Sequence, residues 1–343
     1  MTRILACLLL VALAWPASAR MVTDSAGRRV EVPETIGRVF AAGPPAAVFL
    51  YVLAPETMLG WPRALRPEER PFIAAPYRDL PEHGRLTGRG GEANLERVIA
   101  AAPDLILDFG SVRETYVDLA DRVQAQTGIP YVLIDGRFEA TAEALRLMGA
   151  ILGVEERAER LARDVEGTLA RVDAVLAGVP EAARPRVYLA RGPAGLETGT
   201  RGSINSEIIE RAGGVNVAEA PGRGRIVQAS IEQVIVADPE VIVTWDAGFH
   251  RRVRADPLWA GIAALRAGRV LLAPTAPFGW IDRPPSINRM MGLRWMAGRL
   301  WPERWGGRLR DEIREFYALY YQVALTEAEL DTLEAWAGGS PPR

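Results

Sequence analysis

The sequence predicts an α/β protein built from two similar lobes joined by one long helix. Three observations carry this. Short apolar runs alternate with stretches in which apolar residues recur every three or four positions, the pattern of strands interleaved with amphipathic helices. A fifteen-residue motif occurs twice, as ANLERVIAAAPDLIL at 93–107 and ASIEQVIVADPEVIV at 229–243, with seven identical positions. Between the copies lies an unbroken helical pattern over residues 155–176.

The first nineteen residues read as a secretory signal. Arg3 supplies positive charge, residues 4–15 are apolar, and Ala17-Ser18-Ala19 is a small-residue cleavage site. Cleavage after Ala19 is expected to leave a chain starting at Arg20, outside the cytoplasmic membrane. Neither this run nor any later one has the length of a membrane span. Cys7 follows Ile4-Leu5-Ala6 in a faint lipoprotein pattern, but too early and with no apolar region before it. Losing the signal removes this only cysteine, and with it any disulfide or thiolate chemistry.

Residues 20–152 are expected to form the first lobe, with strands at 38–42, 105–109 and 131–134 and a helix at 141–152. Residues 153–180 are the link. Leu161, Val165, Leu169, Val172 and Leu176 form its apolar stripe, while Glu159, Arg160, Arg163, Asp164, Glu166 and Arg171 cover the other face. Gly167 is the weak interior point, costing about 1 kcal/mol against alanine. At about 1.5 Å per residue the helix spans about 33 Å, enough to join two lobes rigidly. Residues 181–343 are the second lobe with terminal helices, its strands at 187–190, 241–245 and 270–272. Each copy of the repeat reads alike: a polar N-cap (Asn94, Ser230), a short helix, a proline stop (Pro103, Pro239), then a strand.

Composition narrows the function. A net charge of −2 provides no basic field for nucleic acid. All 41 basic residues are arginine, a compositional habit, so an arginine carries information only inside a motif. With no Gly-x-Ser-x-Gly elbow, no mature cysteine and no paired histidine motif, enzyme chemistry finds little footing, although an exported enzyme on the same frame stays open.

In open α/β sheets, ligands sit beyond the carboxyl ends of the strands. That rule nominates Pro44 after the first strand, Ser111 after the second, Arg191 and Trp245 in the second lobe, and the loop at 278–283 with Trp280 and Arg283. Ser286 could cap the helix that follows this loop. Trp61 could stack on a chelate ring or macrocycle. The glycine-rich loops with Arg85 and Arg89, and with Arg223 and Arg225, suit an anionic ligand. His83 and His250 are the only histidines, too few for a bare metal ion, though His250 could add one ligand to a chelate with an open position.

The sequence resembles the periplasmic binding proteins of ABC importers for ferric siderophores, cobalamin, haem and related metal complexes. The resemblance rests on MVTDSAGRRVEVPETIGRVFAAGPPA, NLERVIAAAPDLIL, the middle helix, SEIIERAGGVNVA, SIEQVIVADPEVIVTW and DPLWAGIAALRAGRVLLAP, in that order. It implies two Rossmann-like lobes joined by one backbone helix, a ligand at their interface, limited hinge motion, no intrinsic cofactor and no catalysis. It further implies a monomer that captures a metal chelate, with a ferric siderophore first and cobalamin, haem, a nickel chelate, molybdate or tungstate as alternatives. The partner would be the permease dimer of the inner membrane, met by one surface glutamate per lobe: Glu96 and Glu232, which share one position in the repeat.

Overall fold

The computed structural model describes residues 19–88, 95–218 and 224–342. Two parallel sheets form its centre. The first has strand order Val39–Ala41, Leu105–Gly110, Tyr131–Asp135, with Val39 opposite Leu105 and Ile106 opposite Tyr131. The second has order Val270–Leu272, Val241–Thr244, Arg186–Leu189, Val215–Asn216, again all parallel. Strands Tyr131–Asp135 and Val241–Thr244 are buried throughout and Leu105–Gly110 at all but its last residue, which is why they read as largely apolar runs rather than alternating ones. Two small antiparallel hairpins accompany them: Ala19–Thr23 with Arg29–Pro33, and Glu197–Gly199 with Ile226–Gln228. The chain is thus α/β, as expected; the hairpin strands escaped the sequence reading because they are short and half-exposed.

The repeat holds in three dimensions and extends beyond its fifteen residues. Ala102 and Asp238 occupy equivalent positions, and both adopt left-handed backbone, φ 45° and 35°. Asp104 accepts from the backbone N–H of Gly37 and Arg38 at 2.9 Å, and Glu240 accepts from that of Arg186 at 2.8 Å. Arg38 and Arg186 in turn donate to carbonyls of their repeat copies, Ala101 and Ala102 in one, Asp238 in the other. Each lobe therefore ties the start of one strand to the loop before its neighbour by the same construction. Ser230 forms the predicted cap, accepting from Gln233 N–H in a capping box. Its counterpart Asn94 lies outside the described residues, as do Cys7 and residues 1–18 of the signal.

The helix Glu155–Leu176 buries Ala158, Leu161, Ala162, Val165, Thr168, Val172 and Val175. Helix Thr141–Leu152 packs against it so closely that a Cβ on Gly149 would collide with Ala158. Its charged face is not all solvated. Asp164 accepts from Arg294 at 2.5 Å and from the Tyr320 hydroxyl at 2.7 Å, and Arg171 pairs with Glu312 at 2.8 Å. The partners lie on helices Arg289–Leu300 and Leu309–Tyr320, which cover this side. Arg157 donates to Val52 O of the first lobe and to Leu319 O of the terminal helices. Among the described residues no helix is long and apolar enough to cross a membrane.

Candidate functional site: the cleft between the lobes

A cleft of about 1650 Å³ opens where the carboxyl ends of the two sheets face each other. Ser111 follows strand Leu105–Gly110, Asp135 ends strand Tyr131–Asp135 and Arg137 follows it, Arg191 follows Arg186–Leu189, and Trp245 follows Val241–Thr244. Pro44, Arg85, Arg225 and Arg283 join them on the cleft wall. Seven of the residues nominated from sequence therefore come together. Arg89 and Arg223 lie outside the described residues.

Three nominations are corrected. Trp61 is a core residue, 3% exposed; its indole N–H donates to Tyr77 O at 2.8 Å and its ring packs on Tyr51 and Phe278. Trp280 is fully buried, with its N–H on the Tyr317 hydroxyl at 3.3 Å and its edge against Trp295. Both tryptophans hold the wall from behind instead of facing a ligand. His250 is buried away from the cleft, its Nε2 3.1 Å from Val270 O, and burial with Arg254 alongside lowers its pKa. It offers no ligand to a chelate, and no cluster of His, Cys, Asp and Glu among the described residues could hold a metal ion. Ser286 does not cap a helix either: its hydroxyl crosses to the first lobe and donates to Pro45 O at 2.7 Å.

The electrostatics depend on which charges are already matched. Arg63 and Arg66 both pair with Glu69, at 2.6 and 2.8 Å. Burial opposes ionisation of Glu69, but hydrogen bonds from Arg63 and Arg66 outweigh it and lower its pKa. Arg137 pairs with Asp135 at 2.6 Å. Arg191 stands 2.5 Å from Glu197 and 3.0 Å from Asp282, and its guanidinium lies 5.2 Å from the Trp245 ring centre. Arg85, Arg113, Arg225 and Arg283 line the cleft with no carboxylate partner among the described residues, two from each lobe. Of the cleft carboxylates, Asp246 caps helix Ala247–Val253 through Phe249 N–H, and Glu207 is matched by Arg289. Asp108 is buried in the floor, where desolvation raises its pKa to about 6 despite hydrogen bonds from Tyr131, Phe109 and Thr87. The cleft as a whole is short of negative charge.

Sequence reading missed Arg63, Arg66, Asp108, Arg113, Asp135 and Arg137. Arg113, Asp135 and Arg137 were within reach of the strand-end rule, since each stands within three residues of a strand end. Arg63 and Arg66 belong to an irregular segment with no periodic signal.

A family profile described as periplasmic binding protein matches residues 73–277. The vitamin B12-binding protein of Salmonella typhimurium is 30% identical over 195 residues, 55% of this chain and 66% of that protein. A cobalamin-binding protein of Halobacterium salinarum is 32% identical over 197 residues, 56% of this chain and 49% of that protein. The matched part thus spans half to just under two thirds of these relatives. Among solved structures, an ABC transporter solute binding protein from Sulfurospirillum deleyianum superposes with a TM-score of 0.83 at 30% identity, covering 92% of this chain and 98% of that one. The molybdate-bound periplasmic binding protein of Haemophilus influenzae shares the fold, with a TM-score of 0.72 at 21% identity over 90% and 99% of the two chains.

Proposed function

The chain belongs to the periplasmic binding protein family, and we propose that it captures a large anionic metal complex in its cleft and delivers it to an ABC importer. The observation that carries the ligand class is the set of four cleft arginines, Arg85, Arg113, Arg225 and Arg283, that have no carboxylate partner among the described residues. They approach from both lobes, so an anion in the cleft would replace water around all four at once. Size supports this. Pockets for ordinary small molecules run to about 1,000 Å³, below the volume here, whereas a tetrahedral oxyanion would fill only a corner. A ferric siderophore with a negatively charged periphery fits both charge and volume. In this reading residues 20–152 and 181–343 are the lobes, 153–180 the link, and Pro44, Ser111 and Trp245 complete the contact surface. Glu96 and Glu232, both exposed, would meet the permease dimer.

A second reading, cobalamin, is favoured by the names of the curated relatives. One experiment separates the two: the protein purified from its own periplasm is examined by absorption spectroscopy and native mass spectrometry. A ferric charge-transfer band supports the first reading and a corrin spectrum the second. Protein that carries no metal complex after growth under iron and cobalt limitation would sink both. R113Q and R225Q should each weaken retention about tenfold, the worth of one hydrogen bond to a charged group. The same mass measurement tests export: a chain starting at Arg20 is expected. Arg20 would then be the first residue, with its guanidinium donating to Ala150 O and Ile151 O at 2.8 Å.

A further inference from the structure

Large apolar side chains stand in water at five described positions: Met21, Ile99, Ile235, Val236 and Leu258. Three of the five lie on the two repeat helices, Leu95–Ala100 and Ile231–Ala237. Ile99 and Ile235 occupy the same repeat position and are 50% and 46% exposed, and the neighbouring Val236 is 86% exposed. The fold does not require them. Val98 and Val234, also equivalent, supply each helix's core contact at 0% and 1% exposure. A β-branched residue on a helix sacrifices rotamer freedom, and here about half of each isoleucine and most of Val236 stay exposed. The helices also stand alike in their lobes, each leading through a proline into a buried strand, Leu105–Gly110 and Val241–Thr244. One chain therefore presents the same apolar feature twice, one on each lobe.

We propose that Ile99, Ile235 and Val236 form the apolar centres of two matching contact patches that seat on the two equivalent subunits of a dimeric membrane partner. The inference rests on the importer reading above and adds to it where the docking affinity lies. A surface repeated within one chain matches two copies of one partner surface, which a two-fold dimer supplies. Glu96 and Glu232 lie three residues before the isoleucines and so share their helix face. In such a patch the apolar centre is desolvated and holds the partner, while the carboxylates form a polar rim that sets approach and register.

The test places a photoreactive benzoylphenylalanine at position 99, at 235, or at the control position 21, in the full chain expressed in its native host. The expected result is that positions 99 and 235 cross-link to the same peptide of one integral membrane protein and position 21 does not. Cross-links to two unrelated proteins, to a second copy of this chain, or to nothing above the control would overturn the proposal. A second measurement uses I99S and I235S together. Uptake of the ligand that co-purifies with the wild type should fall about tenfold or more, as expected for truncated interface centres. Retention of that ligand by the purified variant should not change. Equal loss of retention would mark the isoleucines as structural and overturn the assignment. Wild-type protein that carries no metal complex would instead strike the receptor reading and leave the cross-linking result standing.

Discussion

Replacing Arg289 by methionine should loosen the base of the cleft and destabilise the whole chain. Arg289 is 2% exposed, yet it carries a full charge. Its Nη1 donates to Ile204 O at 2.8 Å and to Glu207 at 3.0 Å, and its Nη2 donates to Gly136 O at 2.6 Å. The guanidinium also lies 4.3 Å from the Phe138 ring centre. Gly136 and Phe138 belong to the first lobe and Ile204 and Glu207 to the second, so one side chain fastens both. Glu207 completes the fastening by accepting from Phe138 N–H at 3.0 Å. Methionine fills much of the volume but strands a mostly buried carboxylate and two carbonyls. Breaking a buried pair from one side costs about 3–5 kcal/mol, a large share of the roughly 5–15 kcal/mol that holds a domain folded. Urea unfolding measures the loss directly. E207Q combined with R289M should lose less than the two single variants added together, because the uncompensated charge is gone. A loss below about 1 kcal/mol for R289M, the level of an average substitution, would refute the fastening.

Two smaller predictions concern single positions. Asp108 has its pKa raised from 3.8 to about 6, so the folded chain holds this proton to higher pH than the unfolded chain does. Its contribution to stability is complete below the unfolded value and is lost as pH rises through the folded one; D108N should flatten that decline in urea unfolding across the same window. At Gly167, inside helix Glu155–Leu176, an added Cβ meets nothing within 4 Å. G167A should raise stability by about 0.8–1 kcal/mol in the same assay.

What the sequence made legible was local. The strands at 105–110, 131–135 and 241–244 are apolar runs buried on both faces, so composition alone marks them. The helix Glu155–Leu176 shows because its stripe repeats over 22 residues. What stayed hidden depends on partners far along the chain. Arg289 looks like one basic residue among several until Gly136, 153 positions away, is seen to accept from it. Trp280 follows a strand like a ligand-facing residue, but Tyr317 and Trp295 from later helices close over it. A tryptophan near a strand end has the same local pattern whether it faces a cleft or a core. The equivalence of Arg38 and Arg186 was hidden differently: they lie before the two repeat copies at unequal distances, and only the shared carboxylate contacts reveal them.

Ties between distant parts of the chain bear on how capture works. Ser286 reaches Pro45 O, Arg289 reaches Gly136 O, and Arg157 joins Val52 O to Leu319 O, all in addition to a continuous 22-residue helix. A hinge would have to break several of these at once, each buried or half-buried. The four cleft arginines without a carboxylate partner among the described residues, by contrast, lie in loops or beside strand ends, and Arg283 holds a left-handed backbone, φ 63°, at the cleft wall. Adjustment to a ligand is therefore cheap in side chains and loops and expensive between lobes. Small-angle X-ray scattering of the ligand-loaded protein and of the same protein stripped of its ligand should give radii of gyration that agree within error. R289M should widen the difference. A clear contraction of the unmodified protein on loading would show that the lobes close as bodies and that these contacts do not restrain them.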